Sequence, residues 1–108
     1  MLQNFMAENF NDEKGNPAGG YVESIGLRID WQNGPLKNSD GTRNPASGAF
    51  IATVLKACIQ RMEYYQASKF NCRENALALT KMEEALHWLN ARTQRRIAED
   101  TEGTHQGN

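Results

Sequence analysis

Apolar and polar residues alternate from Ser24 to Gln32, with Ile25, Leu27, Ile29 and Trp31 standing between Gly26, Arg28, Asp30 and Gln32. A period of two over this length predicts a half-buried β-strand. Asn33-Gly34-Pro35 then supplies a turn, after which Leu36-Lys37 can begin a short return strand. The period changes further on. Between Ser47 and Ala67 the apolar positions are Phe50, Ile51, Val54, Leu55, Cys58, Ile59, Met62 and Tyr65, which at about 100° per residue cover nearly half of a helix. Asn44 before Pro45, and then Ser47, are the candidate caps. After a break at Ser68 to Asn71, a second helix is expected from Asn71 to about Glu99. Asn71 and Glu74 have the spacing of a capping box. Its main stripe is Leu79, Met82, Leu86, Leu89, Thr93 and Ile97, spaced alternately three and four.

Leu77, Trp88 and Ala91 lie on another side of that second helix. One partner helix cannot cover both sides, so the pattern implies a further chain, with the first helix or the strand covering part of the second surface. Residues 1–20 carry little periodicity and include Gly15-Asn16-Pro17 and Gly19-Gly20. They read as a flexible N-terminal segment, mostly loop, with Phe5, Met6 and Phe10 as docking points. The expected fold class is α+β: a short N-terminal antiparallel strand or hairpin, then a long two-helix antiparallel hairpin, assembled as a symmetric oligomer. Residues 21–108 form its single domain.

Composition bounds this picture without naming a role. At 108 residues and 12.1 kDa the chain has room for one modest core. Twelve Lys+Arg against thirteen Asp+Glu leave a formal charge of -1, which argues against a generally basic, polyanion-binding surface. No apolar run approaches the roughly 18 residues of a membrane span, and Met1 to Phe10 lack the pattern of a secretory signal. A small cytosolic protein is expected. Cys58 and Cys72 match no zinc spacing and are too few for a disulfide scaffold; small buried core residues are the expected role.

Candidate chemistry is sparse. Glu84 and His87 form a Glu-x-x-His pair of the kind used in di-iron bundles. The first helix offers only Glu63, so the ligand set is incomplete and no metal is expected. No phosphate-binding glycine loop and no catalytic triad spacing is present, so no catalytic residue is assigned. Arg92, Arg95 and Arg96 cluster near the end of the second helix. Two readings of that cluster stand. Cations there offset the helix dipole and can pair with Glu99, Asp100 and Glu102, or they can clamp a phosphate through the guanidinium fork. Tyr64, Tyr65 and Phe70 flank the inter-helix turn, as core aromatics or as rings on which a base stacks beside Asn75 and Arg61.

The ordered set Ile29-Asp30-Trp31-Gln32-Asn33-Gly34-Pro35-Leu36, Gly48-Ala49-Phe50, Glu63-Tyr64-Tyr65-Gln66, Glu74-Asn75-Ala76-Leu77-Ala78, Leu86-His87-Trp88-Leu89, Ala91-Arg92-Thr93 with Arg96, and Glu102-Gly103-Thr104-His105 resembles the phage Thoeris anti-defence nucleotide sponges. These share a helical-hairpin domain with the anti-CBASS cyclic-dinucleotide sponges. The likeness covers roughly residues 21–105. It implies a phage protein of the host cytoplasm that binds cyclic ADP-ribose isomers, and for some members cyclic di- or trinucleotides, without cleaving them and without a cofactor. It also implies a homo-oligomer, at least a dimer and in the family a hexamer built as a trimer of dimers, with no membrane or DNA partner. By resemblance the ligand contacts are Tyr65 against adenine, Asn75 on ribose or base, and Arg92 and Arg96 on the pyrophosphate. Arg28 and Arg43 are candidates for a second nucleotide site, and the Glu102 to His105 tail for a lid. The alternatives are a small helical hydrolase acting on the same nucleotides, or a helical regulatory or DNA-binding module.

Overall fold

The computed structural model describes residues 4–101. The chain divides into two compact units, Met1–Phe50 and Ile51–Asn108. In the first, β1 (Phe5–Asn11), β2 (Pro17–Ser24) and β3 (Leu27–Trp31) form an antiparallel meander in the order β1-β2-β3. The strand expected at 24–32 is β3. It is shortened because Ser24 pairs with Leu27, which puts Ile25 and Gly26 in the connecting turn and leaves Ile25 exposed.

The loop expected over residues 1–20 is corrected by β1 and the start of β2. Gly15 and Asn16, read as loop punctuation, make with Asp12 the tight link between two paired strands. The Asp12 carboxylate accepts the backbone N–H groups of Lys14 and Asn16, each at 2.9 Å, which is an Asx-type turn. β1 is exposed along its whole length, so its backbone pairing with β2 leaves no apolar alternation to read. The register sets Ala7 beside Val22 and Val22 beside Ile29. Successive side chains alternate faces, so Phe5, Leu27 and Trp31 share that apolar side. The other side carries Glu8, Tyr21, Glu23, Arg28 and Asp30.

Beyond β3 the chain returns so that Ala49 bridges Trp31 in parallel. Gln32 holds this return, its side-chain oxygen accepting the N–H groups of Ser47 and Gly48 at 2.9 and 3.3 Å. The Ser47 hydroxyl accepts the Asn33 N–H at 3.0 Å, and the Asn44 amide donates to the Pro35 carbonyl at 2.7 Å. Neither residue caps a helix, contrary to expectation, because both are committed to this loop. The return strand at Leu36-Lys37 does not pair with β3 either; Lys37 bridges Arg43 inside its own loop. Gly48 is required where the two segments meet. A Cβ there would lie 2.5 Å from the Asp30 carbonyl oxygen and 2.6 Å from the Trp31 carbonyl carbon, both backbone atoms that cannot step aside. Gly48→Ala is therefore expected to cost about 2–3 kcal/mol, within the range of overpacking substitutions. The cost would be read as a lower urea midpoint; an unchanged midpoint would show that this return is pliable.

In the second unit α1 (Ile51–Gln66) and α2 (Arg73–Thr101) form an antiparallel hairpin. α1 starts at Ile51, later than the Ser47 expected. Its inward side is Val54, Leu55, Ile59 and Met62, which face the stripe Leu79, Met82, Leu86 and Leu89 on α2; all are at least half-buried. Gln66 closes the hairpin by accepting the Cys72 N–H and donating to the Cys72 carbonyl, both at 3.1 Å. The expected Asn71 cap is replaced by this clamp, since the Asn71 amide donates backward to the Ser68 carbonyl. Glu74 still lies in the first turn of α2, where the helix dipole favours an anion.

The helices are unequal, 16 residues against 29. α2 exceeds α1 by 13 residues, about 20 Å at 1.5 Å per residue, so its C-terminal part runs past the start of α1. Thr93 and Ile97 continue the apolar stripe onto this overhang, where α1 provides no cover and both are exposed. Among the described residues of the hairpin only Ile59 is buried, at 9% exposure. Cys58 and Cys72 are both exposed, correcting the core role expected of them. Cys72 contributes its backbone N–H and carbonyl to the clamp.

Candidate functional site

The hairpin tip gathers the aromatic residues. The Tyr65 carbonyl, in the last turn of α1, accepts the Ser68 N–H at 3.0 Å and the Ser68 hydroxyl at 2.5 Å. That hydroxyl also accepts the Phe70 N–H at 3.1 Å. The backbone beneath Tyr65 is thus fixed by the turn. The rings of Tyr64 and Tyr65 lie 6.1 Å apart and tilted by 54°, with the Arg61 guanidinium 5.1 and 5.0 Å above their respective centroids. Asn75, in the first turn of α2, is half-buried. Tyr65 and Asn75 therefore belong to the same end of the hairpin.

The arginine cluster sits at the other end of α2, on the overhang, and the structure divides it. Arg95 is paired with Glu99 at 3.2 Å across one helical turn, as the dipole-and-pairing reading expects. Arg92 and Arg96 have no carboxylate partner among the described residues. Both guanidinium forks are thereby left available for an anion. The Asp100 side chain and Glu102, the other expected partners, lie outside the residues whose side chains are described, as does the tail expected as a lid. α2 runs unbroken from Arg73 to Thr101, so Asn75 and Arg92 are separated by about 25 Å along its axis. A single chain does not bring them to one ligand.

The two arginines considered for a second site differ sharply. Arg28 makes a two-pronged contact with the Asp30 carboxylate at 2.9 and 3.3 Å. It also reaches Glu23 at 3.4 Å and lies 4.3 Å above the Tyr21 ring. The hydrogen bonds to Asp30 raise the Arg28 pKa and lower that of Asp30, so this guanidinium is already engaged. Arg43 stands exposed on the loop that pairs with Lys37. Of the Glu-x-x-His pair, Glu84 contacts Lys81 at 3.6 Å and His87 meets the Trp88 ring edge-on at 5.4 Å. Among the described residues no third His, Cys, Asp or Glu joins them in a cluster.

Two features of the site escaped the sequence reading. The Gln66 clamp has no local signature, since its partner Cys72 lies across the turn. The seating of Arg61 on both tyrosines was accessible from spacing, because positions three and four apart share a helix side.

Comparison with known proteins points to one family. The sequence pattern described as Acb2/Tad1, hairpin domain, matches residues 23–94. The protein named Thoeris anti-defense 1 from Bacillus phage SBSphiJ7 is 45% identical over 78 residues, which are 72% of this chain and 51% of that relative. The chain spans about half the length of this curated relative. Tyr65, Asn75 and Arg92 fall within the matched segment and Arg96 just beyond it, while β1 and most of β2 precede it.

Proposed function

This chain belongs to the Acb2/Tad1 hairpin-domain family, and from that premise we propose that it is a phage anti-defence protein that sequesters a cyclic ADP-ribose signal, intact, in the cytoplasm of the infected host. The observation that carries this reading is the pair of guanidinium groups, Arg92 and Arg96, on the overhang of α2, which have no carboxylate partner among the described residues. Two forks a single turn apart on a helix match the oxygens of a pyrophosphate. Tyr65 supplies a ring for adenine and Asn75 an amide for ribose or base.

Because the hairpin tip and the arginines are about 25 Å apart, the pocket forms between two protomers whose α2 helices run antiparallel, each giving its tip to the other's overhang. A twofold axis then yields two pockets per dimer. The same arrangement covers Leu77 and Trp88, and a hexamer would be three such dimers. Sequestration at nanomolar dissociation constant requires about −12 kcal/mol, which calls for a pocket that is closed and ordered before the ligand arrives. Arg43 remains available, and Arg28 largely committed, for a second site taking cyclic di- or trinucleotides.

Incubation with a panel of cyclic ADP-ribose isomers and cyclic oligonucleotides, removal of unbound nucleotide, and heat denaturation tests the proposal. The expected result is at least one isomer carried through washing and recovered chemically intact in the supernatant. Recovery of a hydrolysed product would replace sequestration by catalysis, and retention of none would refute both.

A further inference from the structure

We propose that Arg61 is a positioning residue of the nucleotide pocket: seated on Tyr65, it fixes the plane of the ring against which the base stacks and leaves one ring face for that base. The inference rests on the reading of Tyr65 as the stacking aromatic. Arg61, Tyr64 and Tyr65 stand at i, i+3 and i+4 of α1, one side of the helix. The guanidinium lies 5.0 Å from the Tyr65 centroid and 5.1 Å from that of Tyr64, in the corner made by two rings tilted at 54°. No carboxylate pairs with it among the described residues; Glu63 is two positions away, on a different side of the helix. Arg28 and Arg95, by contrast, are held by carboxylates. The contacts that orient the Arg61 cation are the rings themselves.

The consequence for binding is ordering. The Tyr65 backbone is already fixed by its two bonds from Ser68, so the remaining freedom is rotation of an otherwise half-open side chain. A planar guanidinium against one face restricts that rotation and occupies the face, so a purine meets a ring already set and approaches from the other side. A pocket ordered in advance loses less on binding and releases its ligand more slowly. Lysine would keep the charge and the cation–π attraction but not the flat stacking surface.

The test is a double-mutant cycle on the full chain, with the cyclic ADP-ribose isomer retained best in the panel as probe and dissociation rate and Kd as readouts. Arg61 is exposed, and far-UV circular dichroism and sedimentation would show that the variants keep their fold and assembly. Arg61→Ala is expected to weaken binding by about fivefold, the scale of one cation–π contact, chiefly through faster release, with partial recovery in Arg61→Lys. In a Tyr65→Ala background, Arg61→Ala should cause no further loss, since its effect passes through the ring. Additive losses would make Arg61 a direct ligand contact and overturn the positioning role. Full affinity in Arg61→Ala beside a clear loss in Tyr65→Ala would overturn the inference alone. Full affinity in Tyr65→Ala, or an absence of binding to every isomer, would overturn the pocket and the inference together.

Discussion

Replacing Arg92 and Arg96 together by alanine is expected to weaken retention of a cyclic ADP-ribose isomer by about a hundredfold or more while leaving the assembly intact. Hydrogen bonds to a charged partner are worth roughly 1.5–3 kcal/mol each, and the loss of two such contacts compounds to at least that factor. Both side chains are exposed and unpaired within the described chain, so their removal should change stability by no more than about 0.5 kcal/mol. The informative control is the neighbour between them. Arg95 is occupied by Glu99, and Arg95→Ala should reduce binding less than about twofold, since an exposed ion pair contributes little and its field is screened. Isothermal titration calorimetry of the variants, with sedimentation to check assembly, decides the matter. Equal losses at all three positions would mean a diffuse basic patch, and no loss at Arg92 or Arg96 would remove the phosphate clamp.

Trp88→Glu is expected to break the assembly and, with it, most of the helical structure. Trp88 is 64% exposed and Leu77 46% exposed in the single chain, on the side of α2 turned away from its own stripe. Covering an indole that bare removes well over 100 Å² of apolar surface from water, about 3 kcal/mol at 25 cal/mol/Å². A twofold interface counts that residue twice. The single chain has little in reserve, because Ile59 is the one buried side chain among the described residues of the hairpin, and an isolated helix of the length of α1 is marginal in water. The wild-type protein should therefore sediment at a multiple of 12.1 kDa at micromolar concentration, and the variant should fall toward monomer mass with reduced helical circular dichroism. Leu77→Glu should act in the same direction, while Glu83→Ala, off the apolar positions, should not. A wild-type monomer of full helicity at these concentrations would refute the two-protomer pocket as well as this prediction.

Elements that bury one side could be read from the residue order. The two helices and β3 were legible because burial writes its period into the residue order: Leu79, Met82, Leu86 and Leu89 at three and four, Leu27, Ile29 and Trp31 at two. Leu77 and Trp88, standing off that stripe, carried the expectation of a second chain for the same reason. Tyr65, Asn75 and the two arginines came from resemblance to a family, and their separation along α2 could be computed from helical rise alone.

Features that depend on backbone pairing or on the choice between partners emerge only when the chain is folded. β1 is exposed on both faces and held by hydrogen bonds to β2, which every residue but proline can make and which therefore leave no trace in side-chain type. Asn44, Ser47 and Asn71 carried the right chemistry for helix caps, yet their side chains found nearer partners in loops, a competition between local bonds that composition does not settle. Arg28 and Arg95 were indistinguishable by residue type from Arg92 and Arg96 until Asp30 and Glu99 were placed beside them. Side-chain identity states what a group can bind; the packed chain states which of those bonds are already made, and so which arginines remain open to a ligand.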